Sequence, residues 1–176
     1  MTQRQEFRLL RSYADFDVRE YQPCVLAEVK VSEHYSSAAS TAFGSLFKYI
    51  SKGNKASQKI AMTAPVIAAQ RTDRTHTDEW FVSFVMPSGS KVGHLPDPND
   101  SNVALRELDF ETCIAVSFRG KATAERAEKE INKLRAAAHR ENLSLSNESR
   151  ICRFDPPFKP GFMQYNEIVI PVYLQA

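Results

Sequence analysis

Short segments of alternating apolar and polar residues are interrupted by two longer segments with a helical period. In the segment CVLAEVKV at 24–31, Val25 to Val31 present an apolar residue at every second position, which predicts a β-strand with one buried face. The next segment predicts a helix over about 36–51, because apolar residues recur every three or four positions. Its predicted inward stripe is Ala39, Phe43, Leu46, Phe47 and Ile50. Gly53, in KGN, is predicted to end this helix in a left-handed cap.

The second half of the chain repeats this order. The predicted strands VALREL and TCIAVSF precede a second predicted helix over about 123–140, and its inward residues are Ala124, Ala127, Ile131, Leu134 and Ala138. Arg19-Glu20 and Arg106-Glu107 stand at matching places ahead of Cys24 and Cys113. These matches favour two similar units related by a pseudo-twofold axis.

Two further strands are predicted after each helix. They are KIAMTAPVIAA and EWFVSFVM in the first half, and SRICRF and NEIVIPVYL in the second. This order predicts an α+β fold, in which both helices pack on a curved, mainly antiparallel sheet that closes edge to edge as a distorted β-barrel, in a single domain over 1–176. The predicted core is Val25, Ala27, Val29, Phe43, Leu46, Ile60, Trp80, Val82, Phe84, Ile114, Val116, Ile131, Leu134, Ile168 and Ile170.

Charge and composition narrow the classes of partner. The 23 basic and 21 acidic residues are spread along the chain, without the basic stripe that follows a phosphate backbone, so we expect no nucleic-acid partner. The three cysteines are widely spaced, which favours free thiols in a reducing compartment. Apolar runs are too short to cross a membrane, so we expect no membrane insertion, a cytoplasmic location and a monomer.

Several motifs resemble one known family. YADFDVREYQPCVLAEVKV, the helix AFGSLFKYISKGN, the strand KIAMTAPV, WFVSFVMPS followed by LPDPND, and the ending DPPFKPGFMQYNEIVIPVYL together resemble the SOUL haem-binding proteins. They span nearly the whole chain in the family's order. The resemblance implies a distorted barrel of two pseudo-symmetric halves, similar to the ligand-binding modules of gyrase-inhibitor-like proteins. It also implies non-covalent binding of haem or another tetrapyrrole in a cleft beside the first helix.

The resemblance assigns residues to this cleft. Phe43 and Phe47 would form an apolar wall, and Met62 with its small neighbours would leave room for a flat, polarisable ligand. Lys48 matches a lysine of the family's described pocket, and Lys159 matches a second lysine that the family places near the cleft, so both could reach the propionates. Core packing remains the alternative for the apolar residues, and a solvated surface remains the alternative for the lysines. Ser40 stands where some members carry an arginine, so one anionic anchor is absent.

An axial iron ligand is the weakest part of the resemblance. Glu20 stands where some family members carry a histidine that has been proposed as the ligand. Of the four histidines, His76 and His94 fall in polar loops and His139 lies near the end of the second helix. His34 is the one histidine near the proposed cleft in sequence. We therefore expect haem to bind without a protein ligand to the iron, and with no protein metal site.

Motifs for catalysis are scarce. The chain has no G-x-S-x-G, H-E-x-x-H, C-x-x-C or phosphate-binding glycine loop. We therefore expect a non-enzymatic haem buffer or carrier, without catalytic residues. Two alternatives stay open. One is a binding module for another amphipathic small molecule, and the other is an enzyme acting on a tetrapyrrole, with Glu20 or Glu167 as acid or base.

Overall fold

The computed structural model describes residues 2–71 and 78–173, which form eleven strands, two α-helices and two short 3₁₀ helices, Val92–His94 and Gly161–Met163. The first half contains β1 (Gln3–Arg4), β2 (Phe7–Ser12), β3 (Asp17–Tyr21), β4 (Cys24–Ser32), α1 (Tyr35–Ile50), β5 (Thr63–Ala64), β6 (Val66–Gln70) and β7 (Glu79–Val85). The second half contains β8 (Val103–Leu108), β9 (Glu111–Arg119), α2 (Ala124–Arg140), β10 (Ser149–Arg153) and β11 (Tyr165–Pro171). Both predicted helices are confirmed to within one residue at each end. Strands β1 and β2 were not predicted, because their residues are exposed and show no apolar face.

Nine strands form one curled sheet in the order β2-β3-β9-β11-β10-β6-β7-β4-β8, and every neighbouring pair is antiparallel. Strand β1 pairs in parallel with β5 as a separate short ladder. The α+β fold and the curved antiparallel sheet are therefore confirmed. The expected edge-to-edge closure is wrong, since β2 and β8 form two open edges.

Each half contributes one strand that pairs with the other half. Strand β3 of the first half pairs with β9 of the second, and β8 of the second half pairs with β4 of the first. Arg19 lies opposite Cys113 and Arg106 lies opposite Leu26, so the two arginines occupy equivalent positions. The cysteine match is wrong, because the position equivalent to Cys24 is held by Glu111.

Both helices pack on the same face of the sheet. Helix α1 contacts β4, β7 and β8, whereas α2 contacts β9 and β11, which leaves β6 and β10 between them. Twelve of the fifteen predicted core residues are buried. Val116 and Ile131 are half-buried against this core. The prediction that Phe43 is a core residue is wrong, because it lies at the edge of the core and is 37% exposed.

The buried stripe of α1 differs from the predicted one. Ala39, Leu46 and Ile50 are buried as predicted, while Phe43 and Phe47 are exposed. The stripe is completed by Tyr35, Ala38, Ala42 and Tyr49. Small alanines bring the helix close to the sheet, and the two large phenylalanine rings stay on one flank.

The end of α1 also departs from prediction. Lys52, and not Gly53, adopts the left-handed conformation, with φ of 80°. Gly53 is required for a different reason: its N–H donates to the Lys48 carbonyl, and a Cβ at this position would lie 2.5 Å from that oxygen. Close backbone approach therefore selects glycine here.

The predicted strand KIAMTAPVIAA is broken into two. Pro65 follows a cis peptide bond and separates β5, which pairs with β1, from β6 in the large sheet. A residue without a backbone N–H suits this boundary. Met62 lies just before β5 with its side chain 36% exposed, so it is not a core residue.

The opposite face of the sheet carries a smaller apolar cluster together with buried ion pairs. Arg150 binds Glu111 and Glu148, each at 2.8 Å, and burial alone would lower its pKa, but these two carboxylates raise it. Glu28 lies between Arg71 and Arg106 at 2.6 and 3.0 Å. Burial alone would raise the pKa of Glu28, and the two guanidinium groups hold it below its usual value. Removing either partner of such a pair would leave a buried charge without a partner and so destabilise the sheet.

Candidate ligand cleft

One flank of α1, above β7, carries an exposed aromatic pair. The rings of Phe43 and Phe47 are stacked at a centroid distance of 5.8 Å, and Phe43 also contacts the edge of Phe84 at 5.3 Å. Phe47 is 49% exposed. The structure therefore brings these two predicted site residues together on an open surface and removes core burial as the explanation for Phe47.

A row of residues on the same face of the sheet forms the floor beside this pair. Phe84 pairs with Val66, Val66 with Arg153, and Arg153 with Asn166. Because adjacent strands lie about 4.8 Å apart, Arg153 stands about 10 Å from Phe84 across the half-buried Val66. The chain then leaves the sheet after Arg153 and returns at Tyr165, so the loop over residues 154–164 begins and ends next to this floor.

This loop carries large apolar side chains in water. Phe158 is 87% exposed and Phe162 is 79% exposed, while Met163 is 46% exposed. Exposed aromatic residues concentrated in one loop commonly mark a binding surface. These residues were not predicted from the sequence as part of the site. The segment PPFKPGFM could have indicated them, because its three prolines restrict the backbone and its two phenylalanines are typical of a binding loop.

Lys159 is held inside the loop. Its Nζ lies 2.8 Å from Oδ1 of Asp155, and the backbone N–H of Tyr165 donates to Oδ2 of the same carboxylate at 2.7 Å. The Lys159 ammonium, followed by the Tyr165 N–H, lowers the pKa of Asp155. Asp155 therefore closes the base of the loop and restrains Lys159 there.

Lys48 lies on a different flank of α1 from the aromatic pair. Successive helix residues are about 100° apart, which turns Lys48 away from Phe47. Its charge acts on Asp100, in the loop before β8, whose pKa is lowered chiefly by the backbone N–H of Asn102 and to a smaller extent by Lys48. Among the described residues, no carboxylate lies within 4.0 Å of the Lys48 ammonium. The structure thus does not bring Lys48 beside Phe43.

Arg153 is a cation that sequence reasoning missed. It is half-buried on the helix side of β10, and its guanidinium lies 5.9 Å from the ring of Tyr35, the first residue of α1. No ion pair of Arg153 occurs within the described part of the chain. The alternation in SRICRF could have found it, because Arg153 shares a face with the buried Ile151 and so places a charge on the core side.

The histidines do not approach the aromatic pair. His34 precedes α1, its side chain is 85% exposed, and its Nδ1 lies 3.3 Å from Asp78. Helix α1 runs along β7 from Tyr35, packed on Trp80, to Phe43, packed on Phe84, so His34 stands about 13 Å before Phe43 along the helix axis. His94 and His139 are exposed elsewhere, and His76 lies outside the described residues. The described residues contain no cluster of His, Cys, Asp and Glu suited to a metal ion.

The two carboxylates considered for catalysis are both paired. Glu20 lies on β3, five strands from β7, and binds Arg8 at 3.1 Å. Glu167 is buried on the opposite face of the sheet and binds Arg19 at 2.9 Å. Neither carboxylate lies on the floor of the cleft.

Two repeated units, each with one helix on a curled antiparallel sheet, define a SOUL-like ligand-binding fold. The family model described as SOUL heme-binding protein matches residues 2–171. The chain therefore belongs to the SOUL heme-binding protein family. No helix within the described residues is long and apolar enough to cross a membrane.

A curated relative is similar to this chain in sequence, and solved structures are similar to it in fold. Heme-binding protein 1 of Xenopus laevis is 25% identical over 155 residues, which cover 87% of this chain and 81% of that protein. The crystal structure of the EcmrR C-terminal domain superposes with a TM-score of 0.67 at 14% identity, covering 96% of this chain and 99% of that one. A structure described as a hydrolase from Listeria innocua has a TM-score of 0.63 at 12% identity, with 90% and 92% coverage. At these identities the two structures establish the shared fold alone.

Proposed function

We propose that this protein binds haem or a related tetrapyrrole, non-covalently and without turning it over, in the cleft between α1 and the loop over 154–164. The stacked, exposed pair Phe43–Phe47 carries this proposal. A helix with a full apolar stripe has no structural need for two further phenylalanine rings in water, whereas a planar ligand gains a wall from them. Phe158 and Phe162 supply apolar contacts from the loop, and Met62 adds a polarisable side chain near the start of β6.

Cations around the cleft suit the two propionates. The Arg153 backbone lies in the floor, and its guanidinium extends toward the start of α1, 5.9 Å from the Tyr35 ring, without a carboxylate partner in the described chain. This planar group can donate two parallel hydrogen bonds to a propionate that points toward that end of the helix. Lys159 reaches the loop side of the cleft but shares its charge with Asp155. Lys48 acts from the far flank of α1 through its long, flexible stem, so its contribution is the smallest of the three.

The iron has no protein ligand in this arrangement. The nearest histidine in sequence, His34, lies at the other end of the α1 segment that carries the aromatic pair. Apolar contact and propionate binding therefore supply the affinity, and metal-free porphyrin binds about as tightly as haem. This behaviour suits a buffer or carrier, because it does not depend on the oxidation state of the iron.

The volume of a tetrapyrrole favours the open cleft over the smaller cavity on the other face of the sheet. On the opposite face of the sheet, the cavity beside Arg19 has a volume of about 120 Å³. A cavity of about 150 Å³ holds a single benzene ring, so this smaller cavity has no room for a tetrapyrrole.

Titration with haemin tests the proposal. We expect a saturable, shifted Soret band with one-site stoichiometry, and an affinity for metal-free protoporphyrin within about threefold of that for haemin. A linear response equal to that of free haemin would refute haem binding. Mass spectrometry of the recovered ligand distinguishes the other two functions: intact haem supports a carrier, a modified tetrapyrrole indicates an enzyme, and a co-purified ligand of another class indicates a different binding module.

A further inference from the structure

A second cavity lies on the sheet face opposite the helices, and the proposed haem site does not use it. Its volume is about 120 Å³, and aromatic side chains form much of its wall, among them Phe7, Tyr21, Phe154 and Tyr165. Phe154 and Tyr165 meet edge to face at 5.3 Å, and Phe7 packs on Tyr21 at 5.5 Å. These walls fit one flat ring.

Among the described residues, Glu167 is the one carboxylate that lines the cavity, and it is already paired. Arg19 Nη1 lies 2.9 Å from Oε2 of Glu167, and the Tyr165 hydroxyl donates to the same oxygen at 2.9 Å. Arg19 is 94% buried, and its Nε has no hydrogen-bond partner in the described chain. Asp17 approaches the Arg19 Nη2 at 3.7 Å from outside the cavity. A cationic ligand would therefore have to compete with Arg19 for Glu167.

Two further hydrogen-bond donors line the cavity, the Tyr21 hydroxyl and the Arg4 guanidinium. The Tyr21 hydroxyl accepts a hydrogen bond from Arg19 at 3.1 Å, and no acceptor for its own proton occurs among the described residues. Burial raises the pKa of Tyr21, so this hydroxyl keeps its proton. The guanidinium of Arg4 lies 4.9 Å from the Phe154 ring and 5.6 Å from the Tyr165 ring, with no carboxylate within 4.0 Å in the described chain. The lining thus offers two guanidinium groups and a neutral phenol against one carboxylate.

We propose that this cavity binds a small aromatic carboxylic acid with a single ring. The ring occupies the aromatic walls, and the carboxylate takes hydrogen bonds from Arg4 at the mouth and from the Tyr21 hydroxyl inside. At about 120 Å³ the cavity is no larger than one that holds benzene, so at most one ring is enclosed and the carboxylate stays beside the exposed Arg4 at the mouth. This site does not depend on the haem proposal, since it lies on the other face of the sheet.

Three probes of similar size and different charge test the site on the intact protein. Titration of ¹⁵N-labelled protein should show saturable benzoate binding with a dissociation constant of about 1 mM or tighter, which is reasonable for nine non-hydrogen atoms. Benzamide, which is neutral, should bind at least fivefold more weakly, and benzylamine, which is cationic, should not bind below about 10 mM. Shifts should centre on the amides of Tyr21, Phe154 and Tyr165. Absence of saturable benzoate binding, or equal binding of all three probes, would overturn the proposal.

Two substitutions locate the donors. Arg4→Gln should weaken the affinity for benzoate about tenfold and leave the affinity for benzamide within twofold. Arg8→Gln is the matched control, because Arg8 lies on the exposed strand β2 and pairs with Glu20. It should change neither affinity. Tyr21→Phe keeps the buried ring and should weaken benzoate about fivefold. Equal losses from Arg4→Gln and Arg8→Gln would show attraction to surface charge only and would also overturn the site. Excess haemin should leave benzoate binding unchanged, so failure of either site is recognised separately.

Discussion

Replacing Phe47 by alanine tests the aromatic wall directly. A fully buried phenylalanine hides about 200 Å², so the 49% that is exposed on Phe47 corresponds to about 100 Å². A porphyrin lying against one face covers about half of this area, which stabilises the complex by about 1.2 kcal/mol at 25 cal/mol per Å². Ring stacking adds roughly 0.5–1.5 kcal/mol. The total of about 2 kcal/mol predicts a loss of haemin affinity of roughly thirtyfold.

The same substitution should leave the fold largely intact. Phe47 contributes a stacked contact with Phe43 at 5.8 Å and is otherwise half in water, so we expect the free energy of unfolding to fall by less than about 1 kcal/mol. Haemin affinity is measured by Soret titration and stability by urea unfolding of the same samples. Affinity loss without comparable stability loss is the expected combination.

Phe110→Ala is the matched control. Phe110 is 59% exposed in the turn between β8 and β9, so it has the same side chain and similar exposure but lies outside the proposed cleft. Haemin affinity of this variant should stay within twofold of the wild type. If Phe47→Ala and Phe110→Ala reduce affinity equally, haemin adheres to exposed aromatic rings in general, and the reasoning for a defined wall is refuted.

Further predictions concern charge, iron, pH and stability. Arg153→Gln should weaken haemin about tenfold and haemin dimethyl ester less than twofold, and equal losses would mean that Arg153 supports the fold and not a propionate. His34→Ala should leave haemin affinity within about threefold, whereas a hundredfold loss with a lost low-spin spectrum would identify an axial ligand. Because the Lys159 ammonium lowers the folded-state pKa of Asp155, its contacts should persist above the ordinary aspartate pKa of about 3.9 and be lost as pH falls through the lowered value. An NMR titration of its carboxyl group should give a midpoint below that ordinary pKa. Gly53→Ala should lower the free energy of unfolding by about 2 kcal/mol, since its Cβ would meet the Lys48 carbonyl, while Gly44→Ala, with open space around it in α1, should raise it by about 0.5–1 kcal/mol. Equal effects of the two glycine substitutions in thermal unfolding would contradict the steric reason.

Much of the fold could be predicted from local pattern. The alternation in CVLAEVKV and the helical period after it specify which residues form β4 and α1, because period and backbone geometry are properties of a short segment. The family motifs likewise identify a haem-binding family, and the family match over 2–171 confirms it. The position of Arg153 on the helix side of the sheet could also have been predicted, since strand alternation places it on the same face as Ile151.

Pairing between distant segments was beyond the sequence pattern. Strand β3 joins β9 in place of β4, and the sheet stays open at β2 and β8, because strand partners depend on twist and connection geometry over the whole chain. The period of α1 placed Phe43 and Phe47 inside, but the helix turns so that alanines meet the sheet and both rings remain outside. For the same reason, only the tertiary structure separates Lys48 from these rings, ties Lys159 to Asp155 and pairs Arg19 with Glu167 in the lining of the small cavity. A segment's own sequence determines its backbone period and the side chains that share a face, whereas the face that is buried and the charges that meet depend on how distant elements pack together.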